Sequence, residues 1–412
     1  MGASGASTRP GRERQRRSIR ILIVGAGMAG LTLALCLERK GHEAIILERS
    51  PSLRGAGYMI DFFGSGYDAA ERLGLLPRLE AIHYPIAQLS FLSRDGSTRF
   101  RVSYETMRKL LGNRHFNFMR GDLERVLFDA IATRCEVRFG STVESLAQRD
   151  DGLDVTLSDG SRERADLLVG ADGIHSDVRR AAFGEESSFV RPLGYHTAAF
   201  VFDDPDVHAQ IGDAFATLTV PGRQVALYPI RGGKVATFWV HKSDGAIRDA
   251  SSEAAARELR AIYAGLGWLI PEVLARADDA ETVYLDTVAQ VVMPRWSVGR
   301  VVLLGDACQC VSLLAGQGAS MAVGGAYVLA EEIGRPRGDV PAALARYEQR
   351  LRHAILEKQK AGRNIARWFV PESRFRLAVR DAVMKMSASS IGGWILRRQI
   401  SGGSVIAASD DQ

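Results

Sequence analysis

Along the chain, short apolar runs alternate with stretches of helical periodicity. Ile19–Val24 is apolar and ends at the glycine turn Gly25-Ala26-Gly27-Met28-Ala29-Gly30. Apolar residues resume through "LTLALCLERK", stop at Gly41, and return over Glu43–Leu47 before Glu48. This pattern predicts strand, helix, strand. Leu123–Ala132 reads as an amphipathic helix, followed by short alternating segments with hairpin turns expected at Asp151-Gly152 and Asp159-Gly160. The strand Asp166–Gly170 leads into "GADGIHSDVRR".

Residues 186–295 alternate with a period of two in five runs, which predicts an antiparallel sheet with one helix, Ser252–Ala264. The hairpin within 86–104, "QLSFLSRDGSTRFRVS", is expected to join it. A second strand–turn–helix unit follows: Val301–Leu304, Gly305-Asp306, a loop, Gly316-Gln317-Gly318, then "ASMAVGGAYVLAEEI". Leu344, Tyr347, Leu351, Ile355, Ile365 and Trp368 recur at helical spacing over 340–370, and Pro371 separates that helix from a second amphipathic one. The fold expected is α/β: a Rossmann-like domain over 19–185 and 296–335, an inserted antiparallel sheet over 186–295, and C-terminal helices over 336–412.

Charge changes this picture only at one end. The net charge is +5, but residues 1–18 are Arg-rich and hold most of the excess, so they read as a flexible basic tail on a nearly neutral body. A nucleic-acid-binding body is not expected. No run is long enough for a membrane span or a signal core, and four cysteines give no disulfide framework, so the expectation is a cytoplasmic protein.

The first glycine turn carries chemistry. In a strand–turn–helix unit, Gly25 permits the tight turn, Gly27 admits a pyrophosphate close to the backbone, and Gly30 lets helix and strand pack. The uncapped amides of the first helical turn then face phosphate, aided by the helix dipole. Glu48 ends the second strand, where a carboxylate can accept from a ribose hydroxyl. This unit does not choose between NAD and FAD.

Three motifs in order, "GAGMAG", "DLLVGADGIHSDVRR" and "GRVVLLGDA…GQG", resemble the group A flavoprotein monooxygenases, the para-hydroxybenzoate hydroxylase-like family. The likeness is nearer to bacterial members acting on polyketide or antibiotic skeletons, such as tetracycline-inactivating enzymes, and covers residues 19–335. It implies FAD spanning all three motifs. Gly25, Gly27, Met28, Ala29, Gly30 and Glu48 would hold the adenosine half, and Arg120 would contact the flavin. Asp306, beside Gly305, would bond the ribityl chain, and Gly316, Gln317, Gly318 and Ala319 would meet the flavin ring. Asp172 and Arg179 match positions linked to FAD and NAD(P)H. Arg49 and Arg54 are candidates for the nicotinamide nucleotide's phosphates, and Asp61 matches a position beside the flavin.

The implied reaction is hydroxylation or epoxidation through a flavin C4a-hydroperoxide, with NADPH or NADH as reductant. Expected partners are O2 and a small hydrophobic secondary-metabolite or aromatic substrate, bound by a monomer or weak dimer. No catalytic residue is assigned, because the chemistry is flavin-centred. Asp61, His196 and Tyr228 are the candidates, within a wider group for the substrate face: Tyr58, His115, Tyr195, Phe238, Trp239 and His241.

The third motif departs from the family. Cys308 and Gln309 stand at its small-residue and histidine positions, Ser312-Leu313 at its proline pair, Ser320 at its asparagine and Gly325 at the aspartate of the next helix. A flavin-dependent reductase or dehydrogenase on the same scaffold, or a non-catalytic flavin-binding protein, therefore stays open. Cys308 and Cys310 lack the further ligands a zinc site needs and read as small buried thiols, so no metal is assigned.

Overall fold

The computed structural model describes residues 18–387, apart from 54, 56, 248–249 and 336–338, together with 404–406. The basic tail before residue 18 and Arg54 thus lie outside the described residues.

Arg20–Val24 is the inner strand of a six-stranded sheet. The order is Ser297–Val298, Val301–Leu303, Leu167–Gly170, Arg20–Val24, Glu43–Glu48, Glu136–Phe139. All neighbours are parallel except Ser297–Val298. Ile21 to Val24 are buried, as a strand covered on both faces requires. Helix Met28–Glu38 buries every residue from Ala29 to Leu37, because it is enclosed by the sheet and by helix Gly318–Ile333.

Two glycines make this packing possible. Gly25 has φ +110°, and a Cβ there would stand 2.4 Å from the Ala171 carbonyl oxygen. A Cβ on Gly30 would stand 2.0 Å from the Gly25 oxygen. The glycine turn is therefore wedged against the strand end at Ala171.

A three-stranded antiparallel sheet (Val143–Arg149, Gly152–Leu157, Arg162–Ala165) flanks this unit. Its first turn falls at 150–151 rather than 151–152. Gly152 is already in the strand, where a Cβ would meet the Ala165 oxygen at 2.9 Å.

The second large sheet runs Tyr284–Val291, Val190–Ala199, Lys234–Lys242, Arg223–Pro229, Ala214–Val220, Gln88–Leu92, Thr98–Ser103, with Val201–Asp203 also paired to Lys234–Lys242. The hairpin Gln88–Ser103 enters beside Ala214–Val220, the one parallel pairing. Helix Ser252–Tyr263 packs on this sheet with two short helices that periodicity did not predict, Pro205–Ile211 and Ile270–Ala275. Both place proline in their first turn. The first is also capped by Asp204, which accepts from the Val207 N–H at 3.0 Å.

The C-terminal helices are Val340–Phe369, capped by Asp339, and Arg374–Ser387. Among the described residues no helix is long and apolar enough to cross a membrane.

Candidate active site

One cavity of about 940 Å³ runs from the first glycine turn to the C-terminal helices. Of the sequence-predicted residues, Gly25, Gly27, Met28, Glu48, Arg49, Asp61, Arg120, Asp172, Tyr228, Asp306 and Gly316 through Ala319 line it. All three motifs thus meet in one site, although 281 positions separate Gly25 from Asp306.

At one end lies the N-terminus of helix Met28–Glu38, where no side chain caps the first turn. A Cβ on Gly27 would meet only Glu124 Oε1, at 3.8 Å, so this glycine keeps the backbone open toward the cavity. Glu48 is held by two backbone amides: Ala26 N–H donates to Oε2 and Ser50 N–H to Oε1, each at 2.8 Å. The carboxylate is fixed at the wall and retains lone pairs for a further donor.

Midway, Arg120 donates from Nε to Glu124 at 3.2 Å, and that carboxylate holds the guanidinium firmly protonated. Burial raises the Asp306 pKa, while Arg120 pulls the other way. A Cβ on Gly318 would stand 3.9 Å from Asp306 Oδ1, so the second glycine turn lies beside this carboxylate. Gly305 (φ +63°) makes the close approach to the first helix, since a Cβ there would stand 2.9 Å from that of Ala29. Helix Gly318–Ile333 also begins without a side-chain cap or an acidic residue in its first turn, and Lys358 holds Gln317 by donating to its side-chain oxygen.

Asp61 opens into the cavity and accepts from Tyr104 Oη at 2.9 Å, with His115 Nε2 at 3.0 Å from the same oxygen. Burial opposes its ionisation, but the bonds to His115 and Tyr104 prevail and lower its pKa. Tyr228 Oη accepts from the Met59 N–H at 2.9 Å, so its hydroxyl is already engaged, and burial raises its pKa.

Some expectations land elsewhere. His196 is not on the cavity wall. It projects from the opposite face of the sheet toward helix Ser252–Tyr263, where it meets Glu258. Trp239 and His241 share that face, as strand alternation dictates, whereas Tyr58, His115 and Phe238 line the cavity. Tyr195 also lies off the wall.

Arg179, expected at the cofactor, is fully buried and braces the motifs together. It donates to the Ala307 oxygen at 3.0 Å and the Ile174 oxygen at 2.6 Å. Ala29 and Gly30 serve packing beneath the turn and do not line the cavity. Asp172 reaches the wall but spends both oxygens locally, on Ser176 Oγ at 2.6 Å and the Val178 N–H at 3.1 Å. Cys308 and Cys310 are buried free thiols, and burial raises both pKa values.

Sequence reasoning missed Tyr104, Glu124 and His175. Glu124 was legible as an i+4 partner of Arg120. Tyr104 carries no local signal, because only the fold brings it to Asp61. His175 lies in the second motif, 3.0 Å from Glu186 and 3.6 Å from Asp286.

The comparisons with known proteins agree with this geometry. Residues 18–358 match the model of the FAD binding domain family. The chain belongs to that family. It is 34% identical to an uncharacterized protein of Mycobacterium tuberculosis, over 82% of this chain and 91% of that one. It is 31% identical to a flavin-dependent monooxygenase of an unknown prokaryotic organism, covering 83% and 88% respectively. The crystal structure of tetracycline destructase Tet(51) superposes with a TM-score of 0.78 at 26% identity, over 92% of this chain and 98% of that one.

This member of the FAD binding domain family is an FAD-dependent oxidoreductase of the flavin monooxygenase type. Its cavity suits the cofactor: two uncapped helix N-termini present backbone amides, and Gly27 leaves open the space a side chain would fill.

Proposed function

We propose that this chain transfers one atom of O2 to a hydrophobic, ring-bearing or polyketide-like molecule, with NADPH or NADH as reductant. The observation that carries the substrate class is the make-up of the cavity beyond the three motifs. Phe91, Phe215, Phe238, Trp368, Phe369 and Met384 line it, among polar side chains that include Thr197, Thr217, Gln224, Tyr228, Thr287 and Arg380. Such a surface selects an apolar body and orients it through a few hydrogen bonds. The tetracycline destructase whose fold this chain shares supports a polycyclic substrate.

In this reading Gly27, Met28 and Glu48 hold the adenosine end of FAD, while Arg120, Asp306 and Gly316 to Ala319 hold the flavin end. Bound there, FAD supplies the redox chemistry, accepting a hydride and activating O2. The chain supplies position and dryness. The N-terminus of helix Gly318–Ile333 favours negative charge beside it by about 0.3–1 kcal/mol. Asp61, kept ionised by Tyr104 and His115, anchors a donor group of substrate or cofactor at its carboxylate. Arg49, 3.9 Å from Asp177 at the cavity rim, meets the nicotinamide nucleotide.

Anaerobic stopped-flow reduction tests this proposal. Bound flavin should be bleached by NADPH or NADH, and faster in the presence of some aromatic or polycyclic ligands. Flavin that no nicotinamide reduces, with any such ligand present, would refute it.

A further inference from the structure

On the far face of the substrate sheet, away from the cavity, two histidines and a glutamate converge. His196 and His241 are directly paired across neighbouring strands, so both rings leave the sheet on one face. They are 3% and 1% exposed. Glu258 reaches them from helix Ser252–Tyr263, with its side chain 25% exposed. One carboxylate oxygen, Oε1, lies 2.7 Å from His196 Nδ1 and 2.9 Å from His241 Nε2. The second nitrogen of His196, Nε2, lies 2.8 Å from the Gly245 carbonyl oxygen. His241 Nδ1 is buried without a partner.

A count of protons shows that this cluster is one cation short. Three ring nitrogens face oxygen acceptors: both of His196 and Nε2 of His241. Two neutral imidazoles supply only two N–H donors. The bond to Gly245 claims the proton of His196 Nε2, which leaves the Nδ1 lone pair pointing at a carboxylate oxygen. Either a third proton or a metal ion must lie among these atoms.

We propose that the cluster is a divalent metal site of the zinc class, with His196 Nδ1, His241 Nε2 and Glu258 Oε1 as ligands. The three ligand atoms lie within 4.8 Å of one another. Two imidazoles and a carboxylate are a ligand set that zinc accepts, with water completing the shell from the open side of Glu258. The His196 Nε2–H to Gly245 bond is the outer-shell contact that fixes a ligating tautomer. Starting from the proton-bridged state, one proton leaves His196 Nδ1 for solvent as each ion binds, and the His241 proton moves to Nδ1. The ion would tie the two strands to helix Ser252–Tyr263. Phe238 and Thr197, on the same strands, line the cavity on the other face, so the ion would brace the wall without touching the chemistry.

The test uses the full FAD-loaded chain, stripped with a chelator and titrated with zinc chloride by calorimetry in buffers of different ionisation enthalpy. The expected result is one zinc per chain, about one proton released, and a higher melting temperature. In Glu258→Gln and His241→Gln, affinity should fall at least tenfold and zinc should no longer raise the melting temperature, while the flavin spectrum holds. Should these variants fail to fold, X-ray absorption of zinc on the unmodified chain decides, with two imidazoles and otherwise oxygen ligands expected. Absence of stoichiometric zinc, undiminished affinity in His196→Gln/His241→Gln, or a shell without imidazole would overturn the proposal.

Discussion

Gly325 leaves the space that Gln309 fills. A Cβ on Gly325 would stand 2.9 Å from Gln309 Oε1, and Gln309 Nε2 donates to Tyr347 Oη at 2.6 Å. These two positions are where group A relatives write an aspartate and a histidine, so the departures compensate each other. Gly325→Ala should cost about 1–3 kcal/mol through overpacking. Combined with Gln309→Ser it should cost less than the sum, which denaturant titration of a double-mutant cycle checks. Ser312 has φ +105°, a conformation closed to the proline found there in relatives. Ser312→Gly should raise stability by about 1 kcal/mol by removing that strain, read as a higher unfolding midpoint. The glycines of the first turn divide by role. Gly25→Ala should lower the melting temperature of flavin-free protein, whereas Gly27→Ala should leave it unchanged and weaken FAD retention. Flavin fluorescence and thermal melts separate the two. The glycines and terminal acids were legible because backbone geometry demands them at set offsets. His196 was not placed, because its facing depends on strand parity in a sheet whose bulge between Pro192 and His196 no local pattern reveals.

Helix Val340–Phe369 is stitched to the loop after Asp306 by buried amides. Gln359 Nε2 donates to the Val291 oxygen at 2.7 Å and the Cys310 oxygen at 3.1 Å, and Gln290 Nε2 donates to the oxygens of Val311 at 2.9 Å and Gln359 at 2.7 Å. Gly362 permits this closeness, since a Cβ there would meet the Val311 oxygen at 2.6 Å. Gln359→Leu strands the buried Val291 carbonyl, while the Cys310 carbonyl keeps the Val291 N–H at 3.2 Å, and should cost about 1–3 kcal/mol. It should also loosen the loop after Asp306, seen as faster amide exchange over residues 310–318. The helix itself was legible from its apolar spacing. Its docking was not, because buried glutamines read as surface residues until their distant partners are known. Helices Pro205–Ile211 and Ile270–Ala275 escaped for a related reason: each is too short to show a period, and their prolines, with Asp204 before the first, are the marks they carry.

At the scale of the whole molecule, His175 joins the second motif to Glu186, just before the second large sheet, and to Asp286, in that sheet's edge strand. Its pKa is raised above the ordinary histidine value by the Asp286 carboxylate first, 3.6 Å away, and by the bond to Glu186 next, against the cost of burial. The stabilisation is therefore full below the unfolded pKa of about 6.5 and is lost as pH rises through the higher folded value. Melting temperature of the FAD-loaded chain should fall across that window, and His175→Asn should flatten the fall. The α/β plan and the convergence of three motifs on one cavity were legible from their order along the chain. The C-terminal helices' part in the substrate wall was not, since Trp368, Phe369 and Met384 meet the sheet only after folding.

We hold that this flavoprotein performs oxygen transfer despite its altered third motif. Turnover with NAD(P)H and a converted polycyclic or aromatic substrate under labelled O2 tests it most directly, with oxygen uptake recorded alongside. One labelled oxygen atom should appear in the product, with one O2 consumed per product formed. A reduced product formed with no oxygen consumed would contradict it and assign the scaffold to a reductase.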